Sequence, residues 1–361
     1  MKLSDLPEGV QQAIEKALGD LKKELESAFL EYFTDTTKGL SPNDYDAEEI
    51  AKEFLQSRGL KGHRDTIEAL VSIVPKRHIK PNNKLANEIT RNFINEGQQE
   101  LLVSREKSKL EIVTRAMLTY TDEKISLSGR PRFTSYDREV HDGVVTLYEA
   151  GNRVITPSMV YRAMNGMADS EKISPQAVGA VTRSLDKSRR IMVYIDFSQE
   201  ARAYNNNCKA TYEGYLLACD KVTVTTSGKT QEAYKLLRKP IIYEYSQVSK
   251  QIINIPISLL QTRGAVRGTE EVIVIRGYLL RQIMGMKSKT FARSNKITFA
   301  GIYEELDITT DEYSEAMYKK KTHATRRHVE ALLTEWKEQG FIESFDIYKE
   351  GRLYKGVVIN L

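Results

Sequence analysis

Residues 319–340 read KKKTHATRRHVEALLTEWKEQG, and this stretch decides the fold of the C-terminal part of the chain. The apolar residues of its second half recur at the three- and four-residue spacing of a single helical face. They are Val329, Leu332, Leu333 and Trp336. Gly340 is typical of the residue that follows the last turn of a helix. The stretch therefore predicts an amphipathic helix over Lys319–Gln339 whose first turns are strongly basic.

The elements around this helix follow a recognisable order. Two strands come after it, Phe341–Tyr348 and Leu353–Ile359, with Gly351 at the tight turn between them. Before it, the sequence predicts a helix over Thr269–Met286, a strand over Lys296–Phe299 and a short helix over Ala300–Leu306. Helix, short strand, two helices and a hairpin form the order of a winged helix-turn-helix.

The same order is predicted a second time, further upstream. Thr134 and Asp137 form a capping box that opens a helix, and Gly151 closes that helix. The sequence then predicts a strand over Arg153–Ile155 and two helix starts, at Thr156-Pro157 and at Ser174-Pro175. The second of these opens a helix from Pro175 to about Arg189, and a strand over Met192–Phe197 follows it. The third helix would present Gln176, Ala177, Ala180, Arg183 and Lys187 away from its apolar face.

The fold class predicted for the whole chain is α+β. Helical spacing predicts helices over 1–33, 47–57, 64–74 and 82–120, which make an all-helical N-terminal region over 1–125. The segment SLSGRPRF at 126–133 predicts a linker. Two winged-helix domains follow, over 134–265 with an extended β wing and over 266–361. The β-rich middle includes predicted strands at Ile191–Phe197, Tyr215–Ala218, Val222–Thr226, Ile241–Tyr245 and Ile252–Ile257.

Composition excludes several classes of protein. Lys plus Arg is 54 and Asp plus Glu is 49 in 361 residues, which gives a net charge of 54 − 49 = +5. No apolar stretch approaches the roughly 18 residues of a membrane span, and no secretory signal is recognisable. The two cysteines, Cys208 and Cys219, support neither a disulfide framework nor a zinc site. We expect a cytoplasmic protein without a metal or another cofactor.

The positive charge is concentrated where a helix would enter a DNA groove. Five cations fall within nine residues, Lys319–Arg327, at the N-terminal end of the predicted helix, where the helix dipole opposes them. A sequence that accepts this cost is expected to bind an anion there, although charge runs are usually only solvated faces. The predicted DNA contacts are Gln176, Arg183, Lys187, Lys319, Lys320, Lys321, Thr322, His323, Thr325, Arg326, Arg327, Lys349 and Arg352.

Three patterns resemble enzyme motifs, and no catalytic residue is predicted from them. A P-loop ending at Ser227–Thr230 would need a glycine where Thr223 stands. His323 and Arg326 match the HxxR step of tyrosine recombinases, but the candidate nucleophiles, Tyr348 and Tyr354, fall in predicted strands. Asp137, Glu139, His141 and Asp142 are interpreted as a charged helix start, because alternate residues do not share a helical face.

Residues 134–361 resemble the tandem winged-helix replication initiators of bacterial plasmids and related mobile elements. The resemblance rests on the order of elements, on Ile173–Arg190 and Lys319–Gly340 as paired recognition helices, and on the β-rich middle. It implies a non-enzymatic protein that binds double-stranded origin repeats and recruits a host helicase or helicase loader. Residues 1–120 would recruit that partner or mediate self-association, for example as a homodimer. A transcriptional or partition regulator and, less favoured, a tyrosine recombinase remain as alternatives.

Overall fold

The computed structural model describes residues 33–34, 74–90, 98–107, 110–120, 133–168, 171–203, 210–226, 229–288 and 294–361. The helices predicted over 1–33, 47–57 and 64–74 and the linker over 126–133 lie outside these residues, except for Phe33, Val74 and Phe133. In the part of the chain that is described, no helix combines the length and the apolar character needed to cross a membrane.

The elements are numbered in chain order. The first group is β1 (Arg77–Pro81), α1 (Lys84–Glu88), β2 (Gln98–Lys107) and β3 (Leu110–Tyr120). The second is α2 (Ser135–Glu149), β4 (Val154–Ile155), α3 (Pro157–Asn165), α4 (Pro175–Ser188), β5 (Ile191–Asp196), α5 (Ser198–Ala203), β6 (Thr211–Tyr215), β7 (Cys219–Thr226) and β8 (Lys229–Leu236). The third is α6 (Ile241–Val248), β9 (Ile252–Pro256), a 3₁₀ turn (Ile257–Leu260), α7 (Glu270–Lys287), β10 (Lys296–Thr298), α8 (Phe299–Glu305), α9 (Glu315–Glu338), β11 (Ser344–Glu350) and β12 (Leu353–Asn360).

Two stretches of the chain repeat one arrangement of three helices and a three-stranded antiparallel sheet. Unit 1 consists of α2, α3 and α4 with a sheet of order β4-β8-β7. Unit 2 consists of α7, α8 and α9 with a sheet of order β10-β12-β11. In each unit the first strand lies between the first and second helices, and the hairpin follows the third helix. Both the mixed α+β class and this repeated order of elements agree with the sequence.

The helical prediction for residues 82–120 is wrong. Among its described residues only α1 and the turn after it are helical, whereas β2 and β3 form an antiparallel hairpin. The hairpin joins β5 and β6 in a sheet of order β2-β3-β5-β6, and β1 pairs with β9. Leu101 and Val103 in β2 are buried while Leu102 between them is 68% exposed. This alternation is typical of a strand with one buried face.

The strand predicted over Met192–Phe197 does form, as β5, but it belongs to this larger sheet. β5, α5 and β6 are inserted between α4 and β7, so the third helix of unit 1 is separated from its own hairpin. The strand predicted over Ile241–Tyr245 is wrong, because Ile241–Val248 is the helix α6. A short apolar run is compatible with either structure, and here Pro240 precedes the first helical turn.

Local signals placed the helix ends correctly. The capping box of Thr134 and Asp137 is present in both directions. Thr156 and Ser174 cap α3 and α4, each with a proline in the first turn. The glycines predicted to end α2 and α9 and to turn the last hairpin have positive φ angles, which an L side chain rarely adopts. They are Gly151 (107°), Gly340 (69°) and Gly351 (59°).

Each unit has its own apolar core. In unit 1, the α2 face of Val140, Val144 and Leu147 packs with Val181 and Leu185 of α4. In unit 2, the α9 face predicted from the sequence is fully buried against α7, α8 and the sheet. Trp336 of that face donates a hydrogen bond from Nε1 to the Leu259 carbonyl at 3.0 Å, so its one polar atom is satisfied.

Candidate nucleic-acid interface

The first turns of α9 present a basic face to solvent. Ser314 caps the helix and accepts a hydrogen bond from the Met317 amide. Lys320, His323 and Arg327 are exposed and follow one another at three- and four-residue intervals, which places them on one side of the helix. Within the described structure, Lys320 and Arg327 have no carboxylate partner. This side of α9 therefore carries positive charge that is not neutralised locally.

Two of the predicted contacts on α9 lie elsewhere. Thr322 and Thr325 are 8% and 2% exposed, on the side of the helix that packs into unit 2. The Thr322 hydroxyl donates to the Tyr318 carbonyl at 2.9 Å. These two threonines lie on the buried face of α9, which corrects the expectation that they contact DNA. The buried side of the helix begins at Thr322, about two turns before Val329, the first apolar residue of the predicted face.

Two lysines of the basic run are held by carboxylates. Lys319 pairs with Glu315 at 2.5 Å, one turn earlier on the same helix. Lys321 pairs with Glu271 of α7 at 2.9 Å, and its Nζ lies 5.0 Å from the centre of the Tyr313 ring. Lys321 therefore connects the start of α9 to the start of α7, and it is only partly available to an external anion.

Tyr354 links α9 to the hairpin of unit 2. The Arg326 guanidinium carbon and the Lys349 Nζ each lie 4.4 Å from the centre of its ring. Lys349 faces Tyr354 directly across the β11–β12 ladder. A neutral ring attracts cations by its quadrupole without cancelling their charge. Tyr354 thus holds two cations in place and leaves both charges available to phosphate.

The sequence pattern did not find this role of Tyr354, which was considered only as a candidate nucleophile. Opposition to Lys349 could have been inferred from the hairpin register, because cross-strand neighbours interact. The approach of Arg326 depends on how α9 packs against the sheet. At the tip of the same hairpin Arg352 is exposed, and no carboxylate of the described residues pairs with it.

In unit 1, Gln176 and Arg183 are exposed on the same side of α4, seven residues apart. Gly179 lies between them, and a methyl group there would meet only the Arg183 Nη1, at 3.6 Å. Ala180, expected on this face, is 5% exposed and belongs to the core of unit 1. The exposed face of α4 is therefore narrower than predicted and is flanked by one arginine and one glutamine.

Lys187 lies in a partly buried ion pair. Its Nζ is 2.6 Å from Oδ2 of Asp137, whose side chain is 4% exposed. Asp137 is also the capping residue of α2, so this pair ties the last turn of α4 to the first turn of α2. Asp186 similarly binds Lys221 of β7 at 2.9 Å and accepts from the Tyr234 hydroxyl at 3.1 Å. The C-terminal half of α4 is thus neutralised and fixed to its own sheet.

One buried cluster has the composition of a metal site. His78, Glu139 and Asp142 offer ligand atoms that all lie within 4.8 Å of one another. The Lys80 ammonium, however, binds Glu139 and lies 2.9 Å from Asp142 Oδ2. Burial and Lys80 hold the pKa of His78 well below its usual range. Because the ammonium already supplies the positive charge, the geometry fits an internal ion pair better than a cation site.

Comparison with known proteins yields only a distant structural likeness. No protein-family model and no curated protein matches the sequence. The fold is similar to the crystal structure of selenomethionine derivatives of domains 2 and 3 of RctB, with a TM-score of 0.40 and 11% identity over 78% of this chain and 99% of that one. A second crystal structure of RctB domains 2-3 gives a TM-score of 0.39 and 12% identity over 77% and 96%.

Proposed function

We propose that the chain is a sequence-specific double-stranded DNA-binding protein in which unit 1 and unit 2 act as winged helices. The observation that carries this proposal is the basic surface of unit 2. We define this surface as Lys320, His323, Arg326 and Arg327 of α9 together with Lys349 and Arg352 of the hairpin. It combines one face of an exposed helix with a basic hairpin beside it.

The two parts of this surface suit the two parts of a duplex. An α-helix fits the major groove, where arginine and histidine side chains can reach base edges. A neighbouring hairpin contacts the sugar-phosphate backbone and fixes the orientation of the helix. The cations that lack carboxylate partners gain the most from phosphate, because binding releases the counterions condensed on the DNA.

Unit 1 supplies a second, less charged reading face. By reading face we mean the exposed side of a helix that would contact base edges. Its exposed side chains, Gln176 and Arg183, are those that pair with adenine and guanine edges, and Gly179 between them permits close approach. Lys187 acts as a structural residue in this proposal, since Asp137 holds it. Unit 2 then contributes most of the electrostatic affinity, and unit 1 contributes mainly to sequence preference.

Two reading faces in one chain suit an origin-binding replication initiator, and we place the protein in this class. It would bind origin repeats and act by recruiting a host helicase or helicase loader rather than by catalysis. The candidate nucleophiles of the recombinase alternative, Tyr348 and Tyr354, lie in β11 and β12 beside Lys296, Arg326 and Lys349. In this proposal they stabilise the hairpin and the basic surface.

The test begins with selection of bound sequences from a random duplex library by the full chain. Arg326→Ala and Arg327→Ala are then compared with Lys337→Ala on the selected site and on competitor DNA. Lys337 is an exposed lysine in the last turn of the same helix, about 15 Å or more from the basic turns at 1.5 Å per residue. Loss of a base contact costs about 1–3 kcal/mol, or about 5- to 150-fold in affinity.

We expect both arginine variants to lose affinity for the selected site and Lys337→Ala to bind like the wild type. If Arg326→Ala and Arg327→Ala bind both DNAs as the wild type does, unit 2 is not the reading module. Selected sites in iterated direct repeats support an initiator, whereas a single palindrome supports a transcriptional or partition regulator. A covalent adduct on a nicked duplex that Tyr348→Phe or Tyr354→Phe abolishes would establish the recombinase alternative.

A further inference from the structure

A balanced set of buried charges lies where unit 1 meets unit 2. Three cations and three carboxylates, none more than 7% exposed, are brought together from β1, α2, α7 and α8. They are Lys80, Arg138, Glu139, Asp142, Arg281 and Glu305. We call this set the charged junction. Buried ions are costly unless each is paired, so the geometry of such a cluster is tightly constrained.

The pairing runs from one unit to the other and back. Glu139 of α2 uses Oε2 for Lys80 and Oε1 for Arg281 of α7, whose Nη1 donates at 2.7 Å. The Arg281 Nη2 lies 3.3 Å from Oε1 of Glu305 in α8. The second oxygen of Glu305 accepts from the Ser135 hydroxyl, again in α2, at 2.7 Å. The path α2–α7–α8–α2 is therefore closed.

Arg276 makes a second connection between the units, one turn earlier on α7. Its Nη2 donates to the Met164 carbonyl at 2.7 Å and to Asn165 Oδ1 at 2.9 Å. Its Nη1 donates to the Leu260 carbonyl at 2.7 Å. Met164 and Asn165 end α3, directly before the turn that leads into α4. Burial lowers the pKa of Arg276 to about 10, so it remains charged at neutral pH.

The backbone of α7 is shaped to admit this junction. A methyl group at Gly277 would lie far inside van der Waals contact with the Glu139 carboxylate. The carboxylate thus packs directly on the α7 backbone, between Arg276 and Arg281. Rotation of one unit against the other would separate buried ions that have no access to water, which is strongly unfavourable. The charged junction therefore opposes independent hinge motion of the two units.

We propose that the charged junction and Arg276 hold the reading faces of α4 and α9 at one distance from each other and at one relative angle around the axis of the bound DNA. The protein then reads a single composite DNA site, not two half-sites with variable spacing. The inference rests on the proposed DNA-binding function and deepens it. Glu139, Arg276 and Arg281 are positioning residues here, because they act on DNA only through the placement of α4 and α9.

Rigid and flexible connections predict different spacing behaviour. Flexibly linked modules retain high effective concentration over a range of separations. For rigidly connected modules, inserting 5 bp turns one half-site about half a helical turn away, since B-DNA repeats every 10–10.5 bp. Spacing dependence therefore reports on the junction and not on the strength of either reading face.

The experiment uses the full chain and the site obtained by selection. Insertions of 1, 2, 5 and 10 bp are placed between the two preferred segments, and affinity is measured by fluorescence anisotropy. We expect the 5-bp insertion to lower wild-type affinity at least tenfold. Arg276→Gln should lower the ratio of affinities for the original and 5-bp sites at least threefold. A smaller folded fraction lowers both affinities alike and leaves that ratio unchanged.

Arg263→Gln is the matched control. Arg263 also reaches unit 1, through Glu171 at 2.8 Å, but both side chains of this pair are about 40% exposed, and such pairs contribute little. Its spacing ratio should equal that of the wild type. Three outcomes would each overturn the inference and leave DNA binding intact. They are wild-type binding that tolerates the 5-bp insertion, a selected site with only one preferred segment, and a spacing ratio in Arg276→Gln equal to that of the wild type. Failure to select any sequence would instead refute the proposed function.

Discussion

Replacing Gly277 by alanine should destabilise the protein, although the same change usually stabilises a helix. Gly277 lies in the interior of the 18-residue helix α7, where alanine is favoured over glycine by about 1 kcal/mol. In this structure the new methyl group would overlap the Glu139 carboxylate. The neighbour that must move is a buried ion paired with Lys80 and Arg281, so the contact cannot be relieved without breaking those pairs.

The magnitude follows from two opposing contributions. Breaking a buried ion pair costs about 3–5 kcal/mol, and the gain in helix propensity returns about 1 kcal/mol. Gly277→Ala should therefore lower the free energy of unfolding by about 2–4 kcal/mol. A propensity argument without the tertiary structure predicts the opposite sign.

Urea unfolding followed by far-UV circular dichroism measures the effect, with Gly179→Ala as the control. Gly179 lies in the interior of α4, where an added methyl group makes only an ordinary contact with Arg183. That variant should gain about 0.5–1 kcal/mol. If Gly277→Ala is as stable as the wild type, or if the two variants shift together, the close approach of Glu139 to α7 is wrong.

Three further outcomes are expected. Tyr354→Ala should weaken binding to the selected DNA by about 1–2 kcal/mol, whereas Tyr354→Phe should bind as the wild type does, because the ring and not the hydroxyl holds Arg326 and Lys349. An equal loss of affinity in the two variants, measured by fluorescence anisotropy, would contradict this. Arg352→Ala should reduce the slope of log affinity against log salt by about one, and Lys337→Ala should leave that slope unchanged. Burial and Arg138 lower the pKa of His141 from 6.5 to about 4, so the unfolded state takes up the proton first as the pH falls. The free energy of unfolding should decrease by up to about 3 kcal/mol between pH 6.5 and pH 4. His141→Leu should flatten the pH profile of the urea midpoint.

The elements that the sequence predicted well are those specified by neighbouring residues. The capping box at Thr134, the prolines after Thr156 and Ser174, and Gly340 act within a few residues of the backbone they stabilise. The core face of α9 is likewise a local periodicity. Both units could therefore be outlined from the chain alone.

The errors lie where distant partners decide the structure. β2 and β3 have an alternating pattern, but it becomes a strand pair stabilised by β5, more than seventy residues later in the chain. Of the predicted DNA contacts, the following are exposed: Gln176, Arg183, Lys319, Lys320, His323, Arg327, Lys349 and Arg352. Thr322 and Thr325 do not, because a threonine in a basic run gives no local sign of the side that packs inward.

The largest difference concerns the charges at the start of α2. By itself the sequence determined that a helix begins at Thr134 and carries polar residues in its first turns. It favoured a charged helix start and gave no sign of burial, yet Asp137, Glu139, His141 and Asp142 are all buried. Only the tertiary structure supplies Lys80, Arg281 and Glu305, which lie 59 to 170 residues away from their partners in α2. Periodicity and capping act over a few residues, whereas an ion can be buried only when the fold brings an opposite charge to it.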